Sequence, residues 1–486
     1  MNNATNIPKT IILWFVGLLL LIGCVPQEPI RIVVTATPQA TTEAATTVTS
    51  VAQASPVAQE RTVTNTSEPT PSPSLTPTRD RTPETTVAEG DDGFFGPIID
   101  ADYTPPPTST PRPTMTPIPP TATPVPETPV ATPLDATPML DGSQMGVQLY
   151  YNLDVDAWWQ MMQRTKQVRV GWVKMQANWS WLQPDHPNQF DTTFRLFQLH
   201  VERAHREGFQ VLLSVAKAPA WARNGITEMD GPPADPQALA YFINFLLDKV
   251  GDEVAAVEIW NEPNLRREWT GNLPQTGAAY MSLFQAGYDA VRAYSPDITV
   301  VTAGLAPTGT NTAAGNVDDR LYLRQMYAAG LATSGYSNIA VGIHPYGWGN
   351  PPDIRCCNQI PDRGWDDDPH FFFIHNIEEM REIMVENGHA NVQLWATEFG
   401  WSSWAGIPTE PPEPWMRYTS PNQQAQYTLR AFEIAQSLDY VGVMILWNLN
   451  FANPTLIEQR NEMVGYSLFI PGVEIRPLYH QLVNRP

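Results

Sequence analysis

The feature that most constrains the fold is a regular alternation of short apolar segments with amphipathic segments, which begins at residue 146. Short apolar runs predict buried strands, and an apolar stripe at helical spacing predicts a helix. The predicted strands are 146–150, 168–176, 210–216, 255–260, 299–303, 339–344, 392–397 and 441–447. The predicted helices are 154–166, 191–207, 235–250, 275–294, 318–330, 372–388 and 420–438.

Eight strands with seven intervening helices predict an α/β protein with a (β/α)8 TIM barrel. The alternative is a doubly wound sheet, which would need a glycine-rich phosphate loop after its first strand, and the sequence has none there. The segment 345–371 is too long and irregular for a plain connection between a strand and a helix, and loops of that length are often functional.

Composition changes sharply near residue 143. Residues 1–143 hold 24 of the 48 prolines, and the part from residue 35 to 140 is dominated by Thr, Pro, Ala, Ser and Val. Such a segment cannot bury enough apolar area to offset the entropy of ordering it. We therefore expect a disordered Pro/Thr-rich stalk over 24–143 and a folded domain over 144–486.

The N-terminus has the pattern of an export signal. Lys9 precedes an apolar run over 11–23, which is short for a spanning helix but suits a signal peptide over 1–23. The run ends in Leu-Ile-Gly-Cys, which resembles the bacterial lipobox and implies a lipidated Cys24 on an extracytoplasmic membrane surface. An uncleaved anchor and an ordinary signal peptide are the alternatives. The stalk would then span roughly 60 Å as a coil and roughly 370 Å as extended polyproline.

One apolar island interrupts the stalk. Phe94 and Phe95 lie at its centre, within residues 93–99. The island either docks on the folded domain or is a gap in the compositional bias.

The charge balance is acidic in both parts. Residues 1–143 carry 14 acidic and 6 basic residues, a net charge of −8, and the remainder carries 36 and 23, a net charge of −13. Such a surface repels nucleic acid and anionic lipid. It argues mildly against a strongly anionic polysaccharide as substrate, although the charge also serves solubility alone. We expect a monomer.

Two of the three cysteines are adjacent. If Cys24 is lipidated, Cys356 and Cys357 remain, and outside the cytosol they could form a vicinal disulfide. External pairing and free thiols are the alternatives. Their spacing and number exclude a structural zinc site of the CxxC type.

Two glutamates occur in matching contexts far apart in the chain. Glu262 lies in residues 257–264 (VEIWNEPN) and Glu398 in 394–401 (LWATEFGW). Each follows an apolar run, so each is predicted to end a strand, the fourth and the seventh. The ends of barrel strands meet at one rim, where a pair of carboxylates can cleave a glycosidic bond. The alternative is two buried, ion-paired acids.

With these motifs the chain resembles the clan A glycoside hydrolases, which are retaining (β/α)8 enzymes. Residues 260–264 (WNEPN) with Trp269 are similar to glycoside hydrolase family 39 and also to family 5, and the resemblance covers about 146–486. It implies that Glu262 is the general acid/base and Glu398 the nucleophile. It also implies that Asn261 binds the 2-hydroxyl of the sugar, with no cofactor and no metal.

The resemblance assigns further residues in strands 6 and 8. Tyr346 would donate a hydrogen bond to the nucleophile, and His344 lies nearby, either in the site or as a core histidine. Trp447 would provide an aromatic platform for a sugar ring. Several of the 16 tryptophans fall on predicted rim loops, and the preferred carbohydrate contacts among them are Trp221, Trp269 and Trp401.

Two charged residues depart from the simple pattern. Strand 2 of these families usually ends in a segment with Arg, where this chain has Lys174, a cation that is not a bidentate donor. Glu258 lies four residues before Glu262, deeper in the barrel, where a structural role is the better interpretation.

Together these observations predict a membrane-tethered, retaining O-glycoside hydrolase acting on an extracellular poly- or oligosaccharide. The alternatives are a catalytically inactive carbohydrate-binding lipoprotein and a transglycosylase that remodels the cell's own polysaccharide.

Overall fold

The computed structural model describes residues 138–309, 315–357 and 367–486. The signal peptide, Cys24, the stalk up to residue 137 and the Phe94–Phe95 island lie outside the described residues and stay predictions. Every helix within the described ranges is too short or too polar to span a bilayer.

Eight parallel strands close into a barrel in chain order, with β1 paired to both β2 and β8. The predicted (β/α)8 barrel is therefore confirmed, and the doubly wound alternative is wrong. The strands are β1 (Met145–Gln148), β2 (Trp172–Asn178), β3 (Gln210–Ala216), β4 (Ala256–Ile259), β5 (Thr299–Thr302), β6 (Ile339–Ile343), β7 (Gln393–Phe399) and β8 (Val441–Leu446).

Helices surround the barrel, and all seven intervening helices form close to their predicted bounds. Aspartates begin several of them: the side chains of Asp154, Asp191, Asp235 and Asp318 each accept a hydrogen bond from the first turn. The helices are α1 (Val155–Gln167), α2 (Trp179–Leu182), α3 (Thr192–Arg206), α4 (Pro236–Val250), α5 (Gly277–Tyr294), α6 (Asp319–Ala328), α7 (Phe373–Glu386), α8 (Pro421–Gln436), α9 (Pro454–Glu458), α10 (Met463–Tyr466) and α11 (Pro477–Asn484).

One prediction placed a strand too early. Residues 168–171 do not belong to β2, because α1 ends at Gln167 and the chain turns through Arg169, whose φ is +50°. The short helices α2, α9, α10 and α11 were not predicted. The last of them packs on α8 and completes the outer ring after β8.

The barrel interior is divided into an apolar and a polar half. Near the amino ends of the strands an apolar layer includes Leu212, Ala256 and Trp395. Lys174 lies two residues after Trp172 of this layer in β2, and Glu258 lies two residues after Ala256 in β4. Both side chains are fully buried. The polar half therefore lies toward the carboxyl ends of the strands, where the candidate site is formed.

Charged side chains connect the loops that follow β5 and β6. His370 Nε2 lies 2.9 Å from Asp318 Oδ2, and His370 Nδ1 lies 2.5 Å from Asp368 Oδ1. Burial lowers the pKa of His370, but its carboxylate neighbours outweigh burial and raise that pKa to about 9. The protonated imidazole thus ties the two loops together at neutral pH.

Candidate active site

Glu262 lies on a strained turn beyond β4 and not at the strand end. The strand ends at Ile259, and the chain then passes through Trp260 and Glu262 with φ values of +78° and +39°. Left-handed conformations of non-glycine residues cost about 1–3 kcal/mol and occur often at functional sites. The Glu262 N–H donates to the carbonyl of Gly304 at 3.1 Å, which helps to hold the turn against β5.

Glu398 lies within β7, one residue before its end, and a β-bulge orients it. Ala396 pairs with Met444 and Phe399 pairs with Leu446, so β7 has one extra residue in this interval. Phe399 consequently packs outward against Phe432 of α8, with ring centroids 4.9 Å apart. The extra residue lets Glu398 face the barrel interior, as bulges next to active sites commonly do.

The two glutamates meet at the carboxyl rim of the barrel. One carboxylate oxygen of Glu262, one of Glu398 and a ring nitrogen of His344 all lie within 4.8 Å of one another. All three side chains are fully buried. Residues separated by 136 positions therefore form one compact group.

Lys174 holds Glu398 from inside the barrel. Its Nζ lies 3.0 Å from Glu398 Oε1 and 2.9 Å from Glu258 Oε2, and it donates to the carbonyl of Thr397 at 3.2 Å. Burial lowers the pKa of Lys174, but Glu258 and Glu398 outweigh burial and raise that pKa above its ordinary value. Lys174 is thus a cation shared by two buried carboxylates, which explains why Glu258 can be buried.

Tyr346 and His344 bind different glutamates. The Tyr346 hydroxyl donates to Glu398 Oε2 at 3.1 Å, whereas His344 Nδ1 lies 2.8 Å from Glu262 Oε1. His344 is completely buried, and a Cβ atom at Gly304 would lie only 2.1 Å from its Nε2, so only glycine fits there. The structure therefore brings His344 into the site.

The electrostatic surroundings of the two acids differ. Burial raises the pKa of Glu262 well above its ordinary value, and the opposing effect of Arg267 does not cancel it. Burial also raises the pKa of Glu398, while Lys174 and the Tyr346 hydroxyl favour its ionised form. Burial, with Lys174 and Arg267, lowers the pKa of His344 well below its usual range, so its imidazole is neutral. A proton in this group consequently resides most favourably on Glu262.

Asn261 and Trp447 lie beside this group. The amide oxygen and nitrogen of Asn261 are buried without a hydrogen-bond partner in the described part of the chain, as expected for an amide that binds a ligand. Trp447 is 1% exposed, and its ring centroid lies 5.9 Å from that of Tyr346. Asn261 suits the role implied by the resemblance. Trp447 belongs to a buried hydrophobic cluster, and both implied roles stay predictions.

Trp269 and Trp401 are both packed in the protein interior. Trp269 packs against Trp260 and Tyr280, and its Nε1 donates to the carbonyl of Pro274. Trp401 is 1% exposed, and its Nε1 donates to the carbonyl of Asn350. Both rings therefore belong to the hydrophobic core.

Trp221 is half-buried outside the barrel. It lines a cavity beside α4, together with Phe242, Tyr241 and Phe245. The carbohydrate contacts of Trp221, Trp269 and Trp401 stay predictions. The burial of Trp269 and Trp401 in the core shows that aromatic content alone does not distinguish core from cleft.

Arg267 was not predicted as a site residue, but the structure places it in contact with Glu262. Its Nη2 donates to Glu262 Oε2 at 3.1 Å, and its side chain is 16% exposed. The neighbouring Glu268 is buried, and burial raises its pKa to about 6. The only signal was proximity, since Arg267 lies five residues after Glu262 in the same loop.

Cys356 and Cys357 form a vicinal disulfide in the loop after β6. The Cys356 N–H donates to His375 Nδ1 of α7 at 3.4 Å. The bond therefore lies on the side of the β6 loop that faces α7.

Two groups among the described residues have donor atoms close enough to hold a metal ion. They are Glu262 with His344 and Glu398, and Asp318 with Asp319 and His370. In the second group the three side chains are joined by ion pairs, with His370 Nε2 2.9 Å from Asp318 Oδ2 and 3.5 Å from Asp319 Oδ1. In the first group the donor atoms already make hydrogen bonds: His344 Nδ1 with Glu262 Oε1, and Glu398 Oε2 with the Tyr346 hydroxyl.

Replacing Lys174 with Met is expected to lower the free energy of unfolding by about 3–5 kcal/mol at pH 7, because two buried carboxylates lose their counter-charge. Urea unfolding measures the change. The double variant Lys174→Met/Glu258→Met should recover part of the loss, since one uncompensated charge is removed with the cation. The control Lys249→Met breaks an exposed pair with Asp248 and should cost below about 1 kcal/mol. A Lys174→Met variant as stable as this control would contradict the described charge pairing.

No family model and no curated protein sequence matches the chain. Solved structures do match. A family 39 glycoside hydrolase from the gut symbiont Bacteroides cellulosilyticus WH2 is similar over 71% of this chain and 64% of that one, with 18% identity and a TM-score of 0.52. This chain thus spans less than two thirds of that relative.

Two further matches have smaller scores. The GH53 catalytic domain of Ignisphaera aggregans matches at 15% identity over 72% of this chain and 98% of that one, with a TM-score of 0.48. Cel5A of Thermotoga maritima, solved with mannotriose, matches at 14% identity over 70% and 96%, with a TM-score of 0.43. The first of the three structures confirms the expected likeness to the clan A glycoside hydrolases at the level of the fold.

Proposed function

We propose that this protein is a retaining O-glycoside hydrolase that acts on an extracellular poly- or oligosaccharide. One observation carries the proposal: carboxylate oxygens of Glu262 and Glu398 lie within 4.8 Å of each other at the carboxyl rim of a (β/α)8 barrel. Retaining glycosidases hold their carboxyl groups about 5–5.5 Å apart, whereas inverting ones need about 6.5–9.5 Å to admit a water molecule. The close separation therefore favours double displacement.

In the first step Glu398 attacks the anomeric carbon while Glu262 gives its proton to the glycosidic oxygen. The bond from the anomeric carbon to that oxygen breaks, and its electron pair leaves with the protonated aglycone. The elevated pKa of Glu262 keeps the proton available for this transfer. Lys174 and Tyr346 both bind the Glu398 carboxylate, and this favours the ionised form that attack requires.

In the second step Glu262, now a carboxylate, accepts a proton from water as the oxygen of that water attacks the anomeric carbon. The ester bond to Glu398 breaks, and the carboxylate is restored beside Lys174. Arg267 is in contact with Glu262, so it stabilises the anion that exists between the two steps. Two inversions give net retention of configuration.

The carbohydrate-binding protein without catalysis is the weaker hypothesis. Binding a sugar does not require two buried carboxyl groups that lie close to each other and have different electrostatic surroundings. Burying acids costs stability unless cations and hydrogen bonds compensate for it, and here Lys174, Arg267 and Tyr346 are all engaged with the pair. These compensating contacts around the two carboxyl groups support a catalytic role.

We further propose that the protein is anchored by lipid at Cys24 on the outer side of a bacterial cell membrane. The support is the apolar run over 11–23 that ends at Cys24 and the acidic, Pro/Thr-rich segment that follows.

The Cys24→Ser variant should be released from membranes, and globomycin should block processing of the wild-type chain. Fractionation with immunoblotting measures both. A soluble, globomycin-insensitive wild-type product would contradict the anchor.

Glu398→Ala is expected to lower kcat by at least about 10³-fold on every glycan cleaved, because no covalent intermediate can form. Glu262→Ala should lose about 10²–10⁴-fold on natural glycans but retain more activity on aryl glycosides with acidic leaving groups, which need no proton. NMR of the first-formed anomer should show retention in the wild-type chain.

The matched control for these variants is Glu382→Gln, an exposed glutamate of α7, which should keep wild-type turnover. An inverted first product would refute double displacement. Transfer of the glycosyl group to sugar acceptors in preference to water would identify the protein as a transglycosylase instead.

Arg267→Met should move the basic limb of the kcat/KM profile to higher pH. Arg267 favours the charged form of Glu262, so its removal raises the pKa of the general acid further, and the acid stays protonated to higher pH. A pH profile on an aryl glycoside measures the shift. Arg324→Met, on the outside of the barrel in α6, should leave the profile unchanged. A shift to lower pH would contradict the assignment of Glu262 as the acid.

A further inference from the structure

A cavity of about 750 Å³ opens at the carboxyl ends of β1 and β2, beside the segment that follows β8. Its size falls within the range of about 300–1,000 Å³ that is typical of small-molecule sites. Its lining includes Gln148, Tyr150, Gln176, Trp181, Lys217 and Phe451. The cavity therefore lies on the β1–β2 side of the barrel rim.

Residues that line the cavity are neighbours of residues at the nucleophile. Gln148 is the register partner of Lys174, whose Nζ binds Glu398. Gln176 lies two residues beyond Lys174 on the same strand, a rise of about 7 Å. On the other wall, the ring of Phe451 lies 6.1 Å from that of Trp447. A sugar attacked by Glu398 can thus extend into this space.

Within the described residues, each of two amides that line the cavity has one polar atom without a hydrogen-bond partner. Gln148 is 2% exposed, and its Oε1 is buried without a hydrogen bond, as is the Nε2 of Gln176. A buried polar group left unpaired costs about 1–3 kcal/mol. One acceptor and one donor in the same cavity match hydroxyl groups, which both donate and accept.

The lining has almost no charge. Among its residues only Lys217 is charged, and its Nζ lies 2.6 Å from Asp230 Oδ2. A ligand carboxylate placed here would lose its hydration and would compete with Asp230 for a cation that is already paired. Uncharged hydroxyls, by contrast, suit the amides.

The aromatic surfaces in the cavity suit a sugar ring. Trp181 is 39% exposed, and the rings of Tyr150 and Phe451 meet edge to face at 5.8 Å. The C–H faces of a pyranose pack on such rings, while its hydroxyls reach the amides.

We propose that this cavity binds the glycone part of the substrate and that the glycone is an uncharged sugar, so the substrate class is a neutral oligosaccharide and not a polymer of uronic acids. The inference rests on the proposed glycosidase function. Gln148 and Gln176 bind the hydroxyl groups, and the leaving group lies on the opposite side, beside Glu262 and Arg267.

The test uses the full chain with Glu398→Gln, which binds substrate without turnover. Calorimetric titration compares cello-, manno- and xylo-oligosaccharides with an oligogalacturonide of equal length. At least one neutral oligosaccharide should bind about 10-fold or more tightly than the oligogalacturonide. Adding Gln148→Leu or Gln176→Leu should each weaken that binding about 5–10-fold, which corresponds to one lost hydrogen bond.

Gln237→Leu, an exposed glutamine of α4, is the matched control and should bind as the parent does. Thermal unfolding checks that each variant is folded, and Gln176→Leu provides the answer if the fully buried Gln148 does not tolerate substitution. The oligogalacturonide binding as tightly as the neutral sugars, or unchanged binding in the glutamine variants, would overturn the proposal.

Activity measurements on the unmodified chain distinguish failure of the cavity assignment from failure of the glycosidase proposal. Glu398-dependent hydrolysis that is indifferent to Gln148→Leu and Gln176→Leu would refute the cavity assignment and leave the glycosidase proposal standing. If no oligosaccharide is bound by the Glu398→Gln chain or cleaved by the unmodified chain, both proposals fail.

Discussion

The buried cation Lys174 is the interaction on which the site depends. A lone ammonium or carboxylate inside the barrel would be neutralised, because its desolvation costs several kcal/mol. Lys174 Nζ lies 2.9 Å from Glu258 Oε2 and 3.0 Å from Glu398 Oε1, so two carboxylates share one cation. This arrangement favours an ionised carboxylate at a fully buried position in the barrel. A point-like ammonium can be shared by two acids without the planar geometry that a guanidinium requires.

Around that centre, two local distortions of the backbone bring the acids together. The bulge in β7 changes the alternation so that Glu398 faces inward, and the left-handed turn after β4 folds Glu262 back over the rim. Regular strands would direct one of these side chains into the helical shell. The unfavourable backbone conformations are maintained because the neighbouring strands and the hydrogen bond from Glu262 to Gly304 restrict the alternatives.

The site is asymmetric in charge on its two sides. Beside Glu262 lie Arg267 and the buried Glu268, whereas the cavity beyond Lys174 has amide, phenol and indole groups. A substrate that spans the pair would therefore meet charged groups at its leaving end and neutral groups at its glycone end. Glu262 is in contact with Arg267 and a neutral imidazole, whereas Glu398 is in contact with Lys174 and the Tyr346 hydroxyl.

The sequence by itself predicted the barrel, because hydrophobic periodicity depends on local spacing and eight strand–helix repeats without a glycine-rich phosphate loop favour a closed barrel. It also indicated Glu262, Glu398, Asn261 and Tyr346, since each follows a recognisable strand. Only the tertiary structure decided which side chains share a pocket. The bulge in β7 depends on how that strand pairs with β8, and the contact of Arg267 with Glu262 depends on the path of a loop. Likewise, the burial of Trp401 depends on Phe373 of α7 and Tyr427 of α8, because packing is a property of neighbours in space.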